Sequence, residues 1–397
     1  MPSEPSSKRE RWKIGNRRLL RWLFPGDLLR AHSCYGRHAR RLVNRMRVCF
    51  NVASGRNRCT IDAMFGAETE ISMSNHSLVG LAVLAVLFMG SASLSGQATA
   101  PALASNVSKA GPNRPAEVPE GYVITPSGYF HPSCVLMIEE GETLLADGRV
   151  KHPDGTVGAS VPVCSYPHYT ATGLLVPADA SEAGGANVAT IGGWLEYVSA
   201  TTATSFGEIA ATWIVPPPPT THDGQTLFFF PGFEDSNDVL SIVQPVLQWY
   251  PPGPWAVASW NCCIQGIVWE SNPVKVNPGD TILGTITSAC KAGLEYCANW
   301  TVLSEDETTG KKTKLNKSPS KGQVWNWGFG AVLEVYGVEQ CGDFPANESV
   351  VFTVQLYDQN LNLISNPGWT GTPAATGISP DCNYGLNVTA TQETLEY

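Results

Sequence analysis

The sequence predicts an all-β protein in which two antiparallel sheets pack face to face as a sandwich, preceded by a small disulfide-tied N-terminal module. Three observations carry this. Beyond residue 101, short β-branched and aromatic runs recur between turn residues. The chain's 38 Gly and 29 Pro supply that punctuation. No window past residue 101 sustains the 3.6-residue period of an amphipathic helix for long. With 397 residues and 43% apolar content, the chain can bury a substantial core.

Taken in order, residues 1–72 form a basic leader. Residues 1–60 carry 15 of the 26 Lys and Arg but only three acids, Glu4, Glu10 and Asp27. Residues 73–100 read as a signal peptide. Leu78–Met89 is an uninterrupted apolar run of twelve residues, shorter than the ~20 that span a bilayer. It fits a secretory h-region, and Ala98-Thr-Ala100 is the small-x-small pattern cut after such a region. A mature chain would then begin near Pro101, secreted and without stable membrane association. A signal belongs at the start of a chain, so Met46 and Met73 are candidate translation starts; the competing reading is a membrane anchor with an Arg-rich tail.

Residues 101–187 read as a prosegment or accessory module. A Pro/Ala/Ser/Asn-rich lead-in runs to about residue 119. Turn-rich patches then surround Cys134 and Cys164, with Asp147-Gly and Asp154-Gly marking tight turns between them. Ala178–Asn187 is small and polar, as suits a linker or cleavable junction. Residues 188–397 form the sandwich domain. Strands are expected near 192–200, 207–216, 226–231, 239–249, 255–263, 266–271, 274–289, 299–304, 312–316, 324–340 and 349–358. Glu305–Gly310 supplies a hairpin turn.

Charge and cysteine content bound the function. From Pro101 onward 11 Lys and Arg face 29 Asp and Glu, a balance of −18, which excludes a nucleic-acid binder built on clustered cations. Such a surface suits an acidic medium. Three cysteines lie in the leader, leaving Cys134, Cys164, Cys262, Cys263, Cys290, Cys297, Cys341 and Cys382, an even set that reads as disulfides in an exported chain. Cys134–Cys164 and Cys290–Cys297 are local pairs. Adjacent Cys262 and Cys263 are expected on opposite strand faces with different partners. No Cys-x-x-Cys or Cys/His pairing supports a metal, and no cofactor is implied. His131 and His168 read as packed loop residues rather than ligands.

The chemistry is narrowed by what is missing. No Gly-x-Ser-x-Gly, His-Glu-x-x-His, Walker loop or Gly-x-Gly-x-x-Gly occurs. The histidines beyond residue 101 sit in Pro/Gly-rich loops and give a Ser-His triad no support. Carboxylate chemistry remains. Gln244 and Glu334 each interrupt an otherwise apolar strand-like run, and a buried carboxylate without a partner costs several kcal/mol or shifts its pKa. The plain alternative is that both point at water, with Gln244 and Gln248 on an edge strand demoted by Pro245.

Several of these runs resemble the glutamic peptidases called eqolisins. Gly193-Trp-Leu-Glu-Tyr-Val198 and Ile209-Ala-Ala-Thr-Trp-Ile-Val-Pro216 are similar to that family's opening strands. Phe230-Pro-Gly-Phe-Glu234 with Ile242-Val-Gln-Pro-Val-Leu-Gln-Trp249 resembles its Gly-Ile-Asp-Gly turn and the strand bearing its catalytic glutamine. Val276-Asn-Pro-Gly-Asp-Thr-Ile282 matches its Pro-Gly-Asp turn, and Leu333-Glu-Val-Tyr-Gly-Val-Glu339 resembles the strand that supplies its catalytic glutamate. The resemblance spans roughly residues 190–358, with Gln244-Pro-Val standing where the family has Gln-Thr-Gly. It implies a concanavalin A-like jelly roll and a secreted, acid-acting endopeptidase that is a monomer and takes polypeptide substrates. In that scheme Glu334 is the general base and Gln244 the oxyanion donor, with Glu339 the alternative glutamate. Period-two alternation favours Glu334, which shares a face with Val332 and Tyr336. Phe230, Glu234, Gln248, Trp249 and Trp260 are the expected groove residues, with Trp325 and Trp327 also available. The rival expectation is a glycan-binding or polysaccharide-cleaving sandwich, whose aromatics stack on sugar rings and whose second acid would be Glu234, Asp235 or Glu270.

Overall fold

A computed structural model describes residues 102–103, 110–111, 113–176 and 191–397. The basic leader, the apolar run, its candidate cleavage site and the whole Ala178–Asn187 junction lie outside the described residues. Residues 92–397 form one compact unit.

The N-terminal region contributes short strands: β1 (Ala102–Leu103), β2 (Val123–Thr125), β3 (Gly128–Phe130), β4 (Val135–Ile138), β5 (Thr143–Leu144), β6 (Val150–Lys151), β7 (His168–Tyr169) and β8 (Leu175–Val176). Longer strands follow: β9 (Gly193–Thr201), β10 (Phe206–Ile214), β11 (Thr226–Glu234), β12 (Ile242–Trp249), β13 (Ala256–Cys262), β14 (Val268–Ser271), β15 (Val274–Lys275), β16 (Thr281–Ser288), β17 (Asn299–Asp306), β18 (Lys311–Pro319), β19 (Trp327–Tyr336) and β20 (Ser349–Asp358). The chain closes with β21 (Thr370–Thr372), β22 (Gly385–Val388) and β23 (Gln392–Glu396).

The first large sheet runs β1-β4-β14-β13-β12-β11-β19-β9-β21, with β15 also on β13; the second runs β18-β17-β16-β10-β20-β23-β22. Pairing is antiparallel throughout except between β14 and β4. Between the two sheets lies a core that includes Trp213, Phe229, Phe233, Trp255, Trp300 and Phe352. The N-terminal residues do not stand apart, because β4 extends the first sheet and β2-β3 packs on that sheet's outer face.

The expected strands are present with instructive edits. The 274–289 run is split into β15 and β16 by a turn in which Asp280 accepts the Asn277 N–H at 2.8 Å and Gly279 has φ +90°. The strand expected over 324–340 runs only Trp327–Tyr336, because Gly337 turns at φ +64°. Strands β21 to β23 go beyond the expected set: β21 and β22 are edge strands, β23 lies between β20 and β22, and all three have polar sequences with few fully buried positions. Pro245 does not mark an edge. Strand β12 is central, and Pro245 reaches across the sandwich to Gly284, where any Cβ would come within 2.7 Å of the proline ring.

The disulfides are Cys134–Cys164, Cys290–Cys297, Cys341–Cys382 and Cys262–Cys263. The last corrects the expectation of separate partners. Cys262 ends β13, so strand alternation no longer governs Cys263, and the two Cα atoms lie 3.1 Å apart.

Candidate active site

Strands β11, β12 and β19 are buried at nearly every position on both faces, unlike a strand with one side in water. Their inward side chains join the inter-sheet core. Their outward ones, with Trp260 and Val268 from the neighbouring strands, meet Val118, Tyr122, Ile124, Tyr129 and Phe130 of the N-terminal region. Gln244 and Glu334 belong to this covered outer face, at 0% and 1% exposure, so neither points at water.

The cover grips the face through its main chain. The Gln244 amide Nε2 donates to the Pro126 carbonyl at 2.9 Å. The Gly128 N–H donates to the Tyr336 hydroxyl at 2.7 Å, and that hydroxyl donates to Glu334 Oε1 at 2.5 Å. The Tyr250 hydroxyl reaches the Ile124 carbonyl at 3.4 Å, and the Tyr129 ring meets Tyr336 edge to face at 5.4 Å. Pro126 and Gly128 are two residues apart, no more than about 7 Å along an extended chain. Gln244 and the Glu334–Tyr336 pair therefore serve one short turn, without a direct hydrogen bond between Gln244 and Glu334 among those present.

Strand register explains this geometry. Glu334 stands opposite Phe228, which on its other side stands opposite Gln248, so Glu334 and Gln248 share one row across the sheet. Gln244 lies four residues along β12 on the same face, consistent with two-residue alternation. Gln248 is held in a chain: the Trp260 indole donates to its carbonyl at 3.1 Å, and its amide donates to Glu270 Oε1 at 3.2 Å.

Electrostatically the face is short of positive charge. The ion pairs among the described residues are Arg149–Asp147, His152–Glu142 and Lys312–Glu305, and none involves this face. Burial pushes the Glu334 carboxyl up to about 8, with Tyr336 and the Trp194 side chain pulling back toward the charged form. Burial also pushes Glu270 up to about 8, opposed by its bond from Gln248. Glu234 is raised well above the usual carboxylate range, first by burial and then by the Glu334 charge. Second oxygens of Glu234, Glu270 and Glu334, and the Gln244 carbonyl, make no hydrogen bond of normal geometry.

Other expected residues fall in different places. Phe230, Gln248 and Trp260 line the covered face, and Trp327 packs at its edge. Trp249 and Trp325 do not: both are packed in the inter-sheet core, Trp249 against Trp255 at 5.3 Å. As the neighbour of Gln248 on a strand, Trp249 must face the other way. Glu339 is exposed beyond the end of β19. Asp235 organises a loop, accepting the Asn237 and Val324 N–H groups at 2.9 and 2.8 Å. His168 is buried and stacked on Phe130 at 4.6 Å, and burial lowers its imidazole to about 4. Among the described residues no group of three His, Cys, Asp or Glu is arranged to hold a metal ion. Tyr250 and Tyr336 join the face as residues to which the motif resemblance gives no role. The available signal was a tyrosine two residues from the glutamate on one strand.

No protein-family model and no curated protein matches the chain. Among solved structures, it is similar to SCP-B, a member of the eqolisin family of peptidases, in a complex with the tripeptide Ala-Ile-His. That match has 16% identity and a TM-score of 0.38, covering 52% of this chain and 98% of that one. The match to scytalido-glutamic peptidase with a transition state analog inhibitor has 16% identity and a TM-score of 0.39, with the same coverage. Aspergilloglutamic peptidase from Aspergillus niger matches at 17% identity and a TM-score of 0.27, over 43% of this chain and 98% of that one. Scores this low leave the case for function to the geometry of the site.

Proposed function

We propose that the chain is a secreted, acid-acting endopeptidase in which Glu334 activates water and Gln244 stabilises the oxyanion. One observation carries the reading. A stretch of polypeptide already lies over these residues, with a peptide carbonyl on the Gln244 amide and a peptide N–H on the hydroxyl bound to Glu334. A substrate strand would meet the same groups after the β2-β3 hairpin lifts.

In the covered state Glu334 is neutral and cannot act as a base. Lifting the hairpin rehydrates it and returns it toward the ordinary value of about 4.3, where it is ionised in mild acid. Glu334 then takes a proton from water as the oxygen attacks the carbonyl carbon. Negative charge gathers on the former carbonyl oxygen facing Gln244 Nε2. On collapse, Glu334 returns that proton to the departing amine nitrogen as the C–N bond breaks. Histidine would be permanently charged at such pH and useless as the base. The four disulfides among the described residues fit an oxidising, extracellular setting. The sugar-stacking alternative is not favoured, because Trp249 and Trp325 are turned into the core.

Digestion of an unfolded protein at pH 3–5 by the full chain and by Glu334→Gln tests the proposal. The variant should lose at least about 10²-fold in rate, the scale of general-base catalysis. Equal rates would remove Glu334 from the mechanism.

A further inference from the structure

Ile124, Pro126 and Gly128 touch the covered face through main-chain atoms: carbonyls at Tyr250 and Gln244, an N–H at Tyr336. Three contacts made to the main chain across one hairpin turn suit a ligand recognised as polypeptide rather than by sequence. Tyr336 has the most specific part. Its hydroxyl has one proton and lone pairs to accept with. The proton goes to Glu334 Oε1 at 2.5 Å and a lone pair takes a peptide N–H at 2.7 Å. The ring itself is 1% exposed and wedged between Tyr129 and Phe228, with centroids at 5.4 and 5.9 Å, so the hydroxyl has little freedom to choose other partners.

We infer that Tyr336 is a positioning residue for the reaction proposed above: its hydroxyl accepts a main-chain N–H of the substrate while fixing the Glu334 carboxylate beside the bond to be cut. The inference rests on the peptidase reading, and it names the group that couples substrate registry to the base. A phenol donor to Glu334 also favours the charged form, so it lowers the pH at which the base becomes available. Tyr250 and Gln244 hold the peptide on the N-terminal side of that point, and neither donates to the carboxylate in a hydrogen bond described above.

Tyr336→Phe in the full chain is the test, since it keeps the ring packing and removes only the hydroxyl. The expected result is a roughly 10- to 100-fold fall in kcat/KM, the scale of one hydrogen bond to a charged group. The acid limb of the pH profile should move to higher pH. A merely structural role would leave that limb in place. Infrared titration of the Glu334 carboxyl, identified by subtracting the Glu334→Gln spectrum, should show the same upward move without relying on turnover. Amide exchange at Gly128, measured by NMR, should quicken once its acceptor is gone; thermal melting checks that the variant is folded. Unchanged kcat/KM, limb and carboxyl titration in an active, folded variant would overturn Tyr336 alone. A wild-type chain inert on every polypeptide would overturn the reaction and Tyr336's part in it together.

Discussion

The two large sheets of this sandwich share a core yet treat their outer faces in opposite ways. Strand β20 of the second sheet alternates buried and exposed along nearly its whole length, its outward side chains in water. Strands β11, β12 and β19 of the first sheet have almost no exposed position, because residues 118–130 cover them. That cover packs on apolar side chains such as Phe228, Phe230 and Val332, yet the same outer face also buries Gln244, Gln248, Glu270 and Glu334, with no cation paired to them among the described residues. Burying such groups is costly unless they are bonded. Polar residues placed at a loss of stability are what the proposed function expects of a ligand face, and here the chain's own main chain satisfies them in part.

The largest way to break this contrast is pH. Buried Glu334 and Glu270 titrate at about 8, Glu196 at about 9, and Glu234 and Glu393 well above the usual range, in each case chiefly through burial. Their folded pKa values exceed the unfolded ones, so the fold holds more protons than the unfolded chain. Stability is then undiminished below about pH 4.5 and falls as pH rises toward 8. His168 works the other way: burial lowers it to about 4, so it penalises the fold as pH drops below about 6.5. Asp147, Asp154 and Asp358, lowered chiefly by hydrogen bonds, also lose stability as pH falls below about 3.8, but they are exposed or, at Asp358, half-buried, and weigh little; the five buried carboxyls set the optimum on the acid side. Thermal melts should peak near pH 4–5 and fall toward pH 8, with Glu270→Gln flattening part of the decline. A melt that improves steadily from pH 5 to 8 would contradict the burial of these acids.

A second prediction sharpens the role of the covered face. Gln244→Ala should cost about 10²- to 10³-fold in kcat, the usual worth of an oxyanion donor, while leaving the fold intact by circular dichroism. The smallest effect belongs to the other sheet. Val351 faces outward from β20 at 45% exposure, and Val351→Thr should change stability by no more than about 0.5 kcal/mol and activity not at all.

Much of the sandwich was legible because β-branched and aromatic runs between turn residues report strands directly, as at Ser349–Asp358. The polar residues inside apolar runs, Gln244 and Glu334, fall on one face because alternation fixes direction. What was not legible depended on partners distant in sequence. Trp249 looked like groove and proved to be core, since its neighbour Gln248 takes the outer side. Nothing local to Thr125–Gly128 announces that its main chain will lie on Gln244 and Tyr336, more than a hundred residues away. The Cys262–Cys263 bond escaped because it forms where β13 ends and alternation lapses.

The central claim is that hairpin and substrate compete for one face. Hydrogen exchange of the full-length Glu334→Gln chain, with and without an unfolded polypeptide that it cannot cleave, tests this most directly. Added peptide should quicken exchange across residues 123–130 while β12 and β19 stay protected. Peptide that binds and leaves the hairpin's exchange unchanged would contradict it.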